Sequence, residues 1–116
     1  MWRKRRPMPE PKQLDPPPDY TDVYRDAARQ IRNHGWCHHG GIDRNGRICL
    51  LIAITTAARD HLADDDTAAI NGPALHAART LAPQGRAGSA YSLIAYNEAP
   101  ERTEHDILTF LDGLSA

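Results

Sequence analysis

The chain has 116 residues, 41% hydrophobic and 25% charged, with a formal net charge of −1. A unit of that size can bury an adequate core by itself, so neither a metal nor a disulfide is required for folding. The near-neutral balance excludes a strongly basic nucleic-acid-binding domain. The longest apolar run, Ile48 to Ile54, has seven residues, far below the roughly twenty that a membrane-crossing helix needs.

Residues 1–12 carry Arg3, Lys4, Arg5, Arg6 and Lys12 against Glu10, a local charge of +4 that leaves −5 for the remainder. Pro7, Pro9, Pro11, Pro16, Pro17 and Pro18 account for six of the nine prolines. That density prevents a helix and favours extended polyproline geometry. Residues 1–18 therefore read as a disordered basic arm ahead of one helical domain over 19–116. The plain role of such an arm is a solvated leader; the alternative is a contact with nucleic acid, for which the acidic globule offers no basic stripe of its own. No apolar stretch follows the charged start, which predicts a cytoplasmic protein with reduced thiols.

From Tyr20 the pattern turns helical. Tyr20, Val23, Tyr24, Ala27, Ala28 and Ile31 recur at steps of three and four, predicting a helix over about 20–34 that Asp19 or Thr21 caps and Gly35 ends. Asp43-Arg44-Asn45-Gly46 is a turn sequence, and the β-branched residues between Arg47 and Thr55 keep a hairpin open as an alternative. A helix over about 48–62 is preferred, because Ile48, Leu51, Ile52, Thr55, Ala58 and Leu62 hold helical spacing beyond ordinary strand length.

Asp64-Asp65-Asp66 suits a helix start through the helix dipole, and Asn71-Gly72 reads as the end of a short turn. Pro73 then fits the first turn of a new helix, with Leu75, Ala78, Leu81 and Ala82 as its apolar face and Pro83-Gln84-Gly85 as its stop. A flexible loop is expected up to Ser89. Ala90 to Tyr96 fits a strand or a helix, the helix being preferred, and Asn97-Glu98 before Ala99-Pro100 reads as a turn. Thr103 and Asp106 have capping-box spacing ahead of Ile107, Leu108, Phe110, Leu111 and Leu114. The expected fold is mainly α, a bundle of about five helices.

Chemistry concentrates in His34 to Leu50, which holds both cysteines, three of six histidines and four glycines. His34, Cys37 and Cys49, with His38 or His39 as a fourth ligand, offer sulfur and imidazole donors for tetrahedral zinc. Strong zinc signals pair two Cys-x-x-Cys knuckles, however, and here one His-x-x-Cys meets an isolated cysteine. Free buried thiols beside loop histidines are the plainer reading. Cys49 in the first turn of a helix is also a candidate nucleophile, with His34, His38 or His39 as base and Asn97 orienting the imidazole. A small core hydrophobe is the plainer reading there. Trp36 reads as an aromatic closing the end of the first helix, or else as an exposed partner anchor. His61, His76 and His105 read as surface residues.

With Gly35-Trp36, then Gly46-x-x-Cys49-Leu50-x-x-Ala53-Ile54-x-x-Ala57, then Tyr96-Asn97-Glu98 and the helix behind Thr103, the chain resembles a family of small uncharacterised proteins from actinobacteria and their phages. The likeness spans most of residues 20–115. The family usually shows Trp-Asn-Asp where this chain has Tyr96-Asn97-Glu98. The resemblance implies no activity, but it places Trp36, Cys49, Tyr96 and Asn97 on recurring positions and leaves Cys37, His38 and His39 off them, which weakens zinc. The function expected is that of a non-enzymatic cytoplasmic binding or regulatory protein, with a protein partner, no required cofactor, and a binding surface of Trp36, Cys49, Tyr96 and Asn97. The alternatives are a small cysteine-dependent or zinc-containing enzyme built on Cys49 and nearby histidines, and a nucleic-acid contact through residues 1–18.

Overall fold

Among the described residues, helical spacing of small and branched apolar residues organises five helices: α1 (Thr21–His34), α2 (Leu50–His61), α3 (Thr67–Leu81), α4 (Ala90–Glu98) and α5 (Glu104–Leu114). The computed structural model describes residues 19–62, 67–81 and 90–116. The basic arm, the Asp64–Asp66 run, Ala82 and the loop expected up to Ser89 lie outside the described residues. The mainly α bundle of five helices is the architecture the spacing predicts.

Each helix turns a stripe inward. α1 buries Val23, Tyr24, Ala27, Ala28 and Ile31, and α2 buries Leu50, Ala53, Ile54, Ala57 and Ala58. Ala74, Ala77 and Ala78 of α3, Leu93 of α4, and Ile107 and Leu111 of α5 complete the core. So many alanines at the contacts let helix axes approach closely. α1 packs on α2 and α5, α2 on α3 and α4, and α3 on α4.

The ends follow local chemistry. Asp19 Oδ1 accepts the Thr21 N–H at 2.9 Å, and bonds from the Thr21 hydroxyl and amide hold its carboxyl below the usual carboxylate range. Thr103 and Asp106 form the expected capping box at the start of α5. The backbone bond from Thr103 is the main cause of the lowered carboxyl of Asp106.

The turn expected at Asn71-Gly72 does not form. α3 runs straight through it, with Pro73 inside the helix. A proline there costs the intrahelical bond to residue 69, and tertiary packing offsets the loss. The buried Tyr24 hydroxyl donates to the Pro73 carbonyl at 2.7 Å, while Tyr20 and Tyr24 both pack against His76, with ring centroids 5.9 and 6.0 Å away. Gly72 is needed for room, since a Cβ there would collide with the Tyr20 hydroxyl. Because Tyr20 and Tyr24 face this side, the inward stripe of α3 is Pro73, Ala74, Ala77 and Ala78, and Leu75, expected inside, is exposed. Burial pushes the Tyr24 phenol well above its ordinary range, so it stays protonated as the donor.

α2 also starts later than its apolar run predicts. Ile48 and Cys49 are extended and paired with the preceding loop, so the helix begins at Leu50. The hairpin alternative survives only as its turn, flanked by the isolated antiparallel bridge Ile42↔Ile48.

Candidate functional site

Residues 35–49 cross the end of the bundle between α1 and α2. Gly35 ends α1 at φ +87°, and a Cβ there would lie 2.9 Å from Arg47 Cγ, so glycine is required for both conformation and space. Ile48 then pairs on two sides. On one, Ile48 N–H donates to Gly35 O at 3.0 Å and Cys37 N–H to Ile48 O at 2.9 Å; on the other, Asp43 N–H donates to Arg47 O at 3.0 Å and Cys49 N–H to Gly41 O at 3.1 Å. Asp43 closes the turn, its Oδ1 accepting from the Asn45 and Arg47 amides at 2.9 Å and its Oδ2 pairing with Arg47 Nε at 2.6 Å. Desolvation pushes that carboxyl up, but the bonds from Arg47 and Asn45 outweigh it and hold it below the usual range.

α4 and α5 hold this loop from the other side. Asn97 is 1% exposed and uses its whole amide. Its Oδ1 accepts the Trp36 indole N–H at 2.7 Å and the Leu50 N–H at 3.0 Å, and its Nδ2 donates to the carbonyls of Cys37 at 3.1 Å and His38 at 2.9 Å. Two donors on one side and two acceptors on the other fix the orientation of the amide. Leu50 opens α2, so one of that helix's free amides is satisfied by a side chain 47 positions further along the chain. Around this centre, Glu98 accepts the Gly40 N–H at 2.9 Å and Glu104 accepts the Trp36 N–H at 3.0 Å. His38 Nε2 meets the Ala99 carbonyl at 2.8 Å; because a carbonyl only accepts, that nitrogen carries a proton.

Above the frame lies a cleft of about 600 Å³ lined by Trp36, Cys37, His38, His39, Gly40, Ile42, Asp43 and Arg47. Trp36, His38 and His39 succeed one another along its wall, with ring centroids 5.3 and 5.6 Å apart. Ile42, 64% exposed, is an apolar side chain left in water at its edge.

Of the four residues expected to share a binding surface, Trp36, Cys49 and Asn97 converge on this frame. Cys49 is 3% exposed and, like Asn97, lies beneath the cleft instead of on its surface. Tyr96 takes another direction. Its ring meets Phe110 at 5.2 Å and carries the Arg102 guanidinium 3.7 Å above its centre, while Arg102 Nε donates to its carbonyl. The turn expected at Asn97-Glu98 is instead the last turn of α4, and Asn97 bonds the distant loop.

The zinc ligand set is not assembled: among the described residues no three His, Cys, Asp or Glu side chains are placed to hold a metal ion. His34 is exposed at the end of α1. Cys37 Sγ bonds the His39 carbonyl at 3.0 Å, and Cys49 Sγ accepts the Gly41 N–H at 3.2 Å. The papain-like arrangement is not formed either, because Asn97 bonds an indole, an amide and two carbonyls and no imidazole. Cys49 is the residue before α2, not part of its first turn.

Glu104, Ile42 and Arg47 are not singled out by the sequence, and Glu98 enters only as a turn residue and as the acid of the Tyr96-Asn97-Glu98 motif. Of the first three only Ile42, an isolated branched residue in a polar glycine-rich loop, carries a local signal. The bonds of both glutamates to the loop amides become visible only once the chain folds.

A model described as a family of unknown function (DUF6197) matches residues 15–116, and the chain belongs to that family. No curated protein and no solved structure matches it.

Proposed function

Within that family of unknown function, we propose that this chain is a non-enzymatic, cytoplasmic binding protein whose recognition site is the cleft of the 35–47 loop, and that its ligand is a protein. The observation that carries the reading is the fully used amide of Asn97, which fixes a loop bearing an aromatic wall and an exposed isoleucine. A surface held in one conformation loses little ordering entropy on binding. Trp36 and Ile42 supply the aromatic and apolar anchors typical of the centre of a protein interface. The two glutamates are spent on backbone amides and Arg47 on Asp43, so apolar contact and shape, more than charge, would set affinity.

The test is co-purification from the native source with tagged wild-type protein, an Ile42→Asp variant and a Tyr91→Ser variant. Tyr91 is 79% exposed on α4 and lies outside the cleft. The reading expects a stoichiometric protein partner that wild type and Tyr91→Ser retain and Ile42→Asp loses, with circular dichroism unchanged in all three. Equal recovery by Ile42→Asp, or no stoichiometric partner at all, overturns it.

A further inference from the structure

We propose that Cys37 and Cys49 form a redox-active dithiol, with Cys37 the thiol that attacks a disulfide arriving from solvent and Cys49 the one that closes an intramolecular disulfide. The pair does not depend on what the cleft binds. Both cysteines are free and buried, and the backbone sets them side by side. The bonds Ile48 N–H to Gly35 O and Cys37 N–H to Ile48 O are the pattern of a parallel bridge between Trp36 and Ile48. One residue further along, Cys37 stands opposite Cys49, which is itself extended at φ −89° and ψ 172°. Neighbouring strands lie about 4.8 Å apart, inside the Cα separation of about 4.4–6.8 Å that a disulfide spans.

Side chains alternate across extended backbone, so both cysteines project to the side away from Trp36 and Ile48. The sulfur contacts agree independently. Cys37 Sγ meets the carbonyl of His39 and Cys49 Sγ the amide of Gly41, two groups of one three-residue turn. The two thiols differ in access, since Cys37 lines the cleft and Cys49 does not.

The reaction is thiol–disulfide exchange with a small-molecule disulfide. Cys37 gives its proton to solvent, and its sulfur attacks one sulfur of glutathione disulfide. One glutathione thiolate leaves and takes up a proton, and a mixed disulfide remains on Cys37. Cys49 loses its proton and attacks the Cys37 sulfur; the bond to the second glutathione breaks and the Cys37–Cys49 bond forms. The protein loses two electrons and two protons, and glutathione disulfide becomes two glutathione thiols.

The full-length protein is incubated with glutathione disulfide under native conditions, blocked with N-ethylmaleimide and weighed intact. The proposal expects a monomer lacking two hydrogens, with both titratable thiols lost and both restored by dithiothreitol. Trypsin cleaves after Arg44 and Arg47, so the Cys37 and Cys49 peptides must emerge joined. Cys49→Ser should stop at a glutathione adduct on Cys37, and Cys37→Ser should resist modification under the same exposure. Two unreacted thiols in wild type after an exposure that oxidises the chain in denaturant, or only disulfide-linked dimers, overturn the pair. Equal modification of Cys49 in Cys37→Ser overturns the order of attack. The wild-type peptide map decides the pairing even where a serine variant fails to fold.

Discussion

The two ends of this small bundle are held by opposite physics. Where the start of α1 meets α3, Tyr20 and Tyr24 pack around Gly72, Pro73 and His76, and the decisive quantity is volume. Where the 35–49 loop meets α4 and α5, the contacts are hydrogen bonds between side chains of α4 and α5 and the loop's backbone groups and Trp36 indole, some 47 to 68 positions away in the chain. The first end tolerates an imperfect helix because packing compensates for it. The second makes an irregular loop rigid by satisfying it group by group.

The largest expected effect strikes the polar end. Asn97→Ala leaves an indole N–H, an amide and two carbonyls without their partner, and each unsatisfied buried group costs about 1–3 kcal/mol, so a loss of about 3–4 kcal/mol is expected with partial rehydration. That is a large share of the stability of a small domain, and urea unfolding measures it. Asn97→Asp sharpens the test. The carboxylate keeps both acceptor positions, loses both donors and sets charge against two carbonyls, so it should rescue nothing. Near-wild-type stability of Asn97→Asp would mean that the two donor bonds contribute little.

At the packed end Gly72→Ala opposes two effects. Alanine gains up to about 1 kcal/mol of helix propensity, whereas the collision with Tyr20 costs about 1–3 kcal/mol as an overpacked contact. Tyr20 is pinned by Tyr24 and His76, so a net loss of about 1–2 kcal/mol in thermal unfolding is expected. A Tyr20→Phe background should shrink it. If the penalty persists there, the glycine is needed for something other than the hydroxyl.

Tyr24→Phe removes the bond to Pro73 and should cost about 1–1.5 kcal/mol. It also carries a pH signature. The folded phenol titrates above its unfolded value, so the unfolded chain releases its proton first; the stabilisation is complete below about pH 10 and fades as pH rises through the folded value. Wild type should therefore lose stability above pH 10 more steeply than Tyr24→Phe. The smallest effect is Thr103→Ala, about 1 kcal/mol, because it removes a cap whose partners are local. Its measurable companion is a small shift in Trp36 fluorescence, since α5 opens with the glutamate that holds the Trp36 amide.

This contrast explains what the sequence revealed. α1, α5 and most of α2 are legible, because their stripes and caps are properties of adjacent residues. The apolar run points to a start for α2 two residues early, because Ile48 and Cys49 bond the loop behind them. α3 reads as cut at Asn71-Gly72-Pro73 because the glycine answers to Tyr20 and the proline carbonyl to Tyr24, and both partners lie at the start of α1, some fifty positions earlier in the chain. Asn97 is singled out in the sequence, yet as a turn residue, an imidazole-orienting amide and a surface position. An amide used at all four positions looks locally like any asparagine before an Ala-Pro. Tyr96 and Asn97 share a motif but point to different faces of α4, since neighbouring helical residues diverge by about 100°.

The long reach from Asn97 to Leu50 also bears on the order in which the molecule can be finished. During synthesis α1 and α2 can pair early, as neighbours in sequence, but the first amide of α2 and the indole of Trp36 wait for a residue that leaves the ribosome only when nearly the whole domain has been made. Closing that long interval costs chain entropy before any of the four bonds repays it. The loop is therefore expected to lock late, because no chain stopped short of α4 holds the residue that satisfies it.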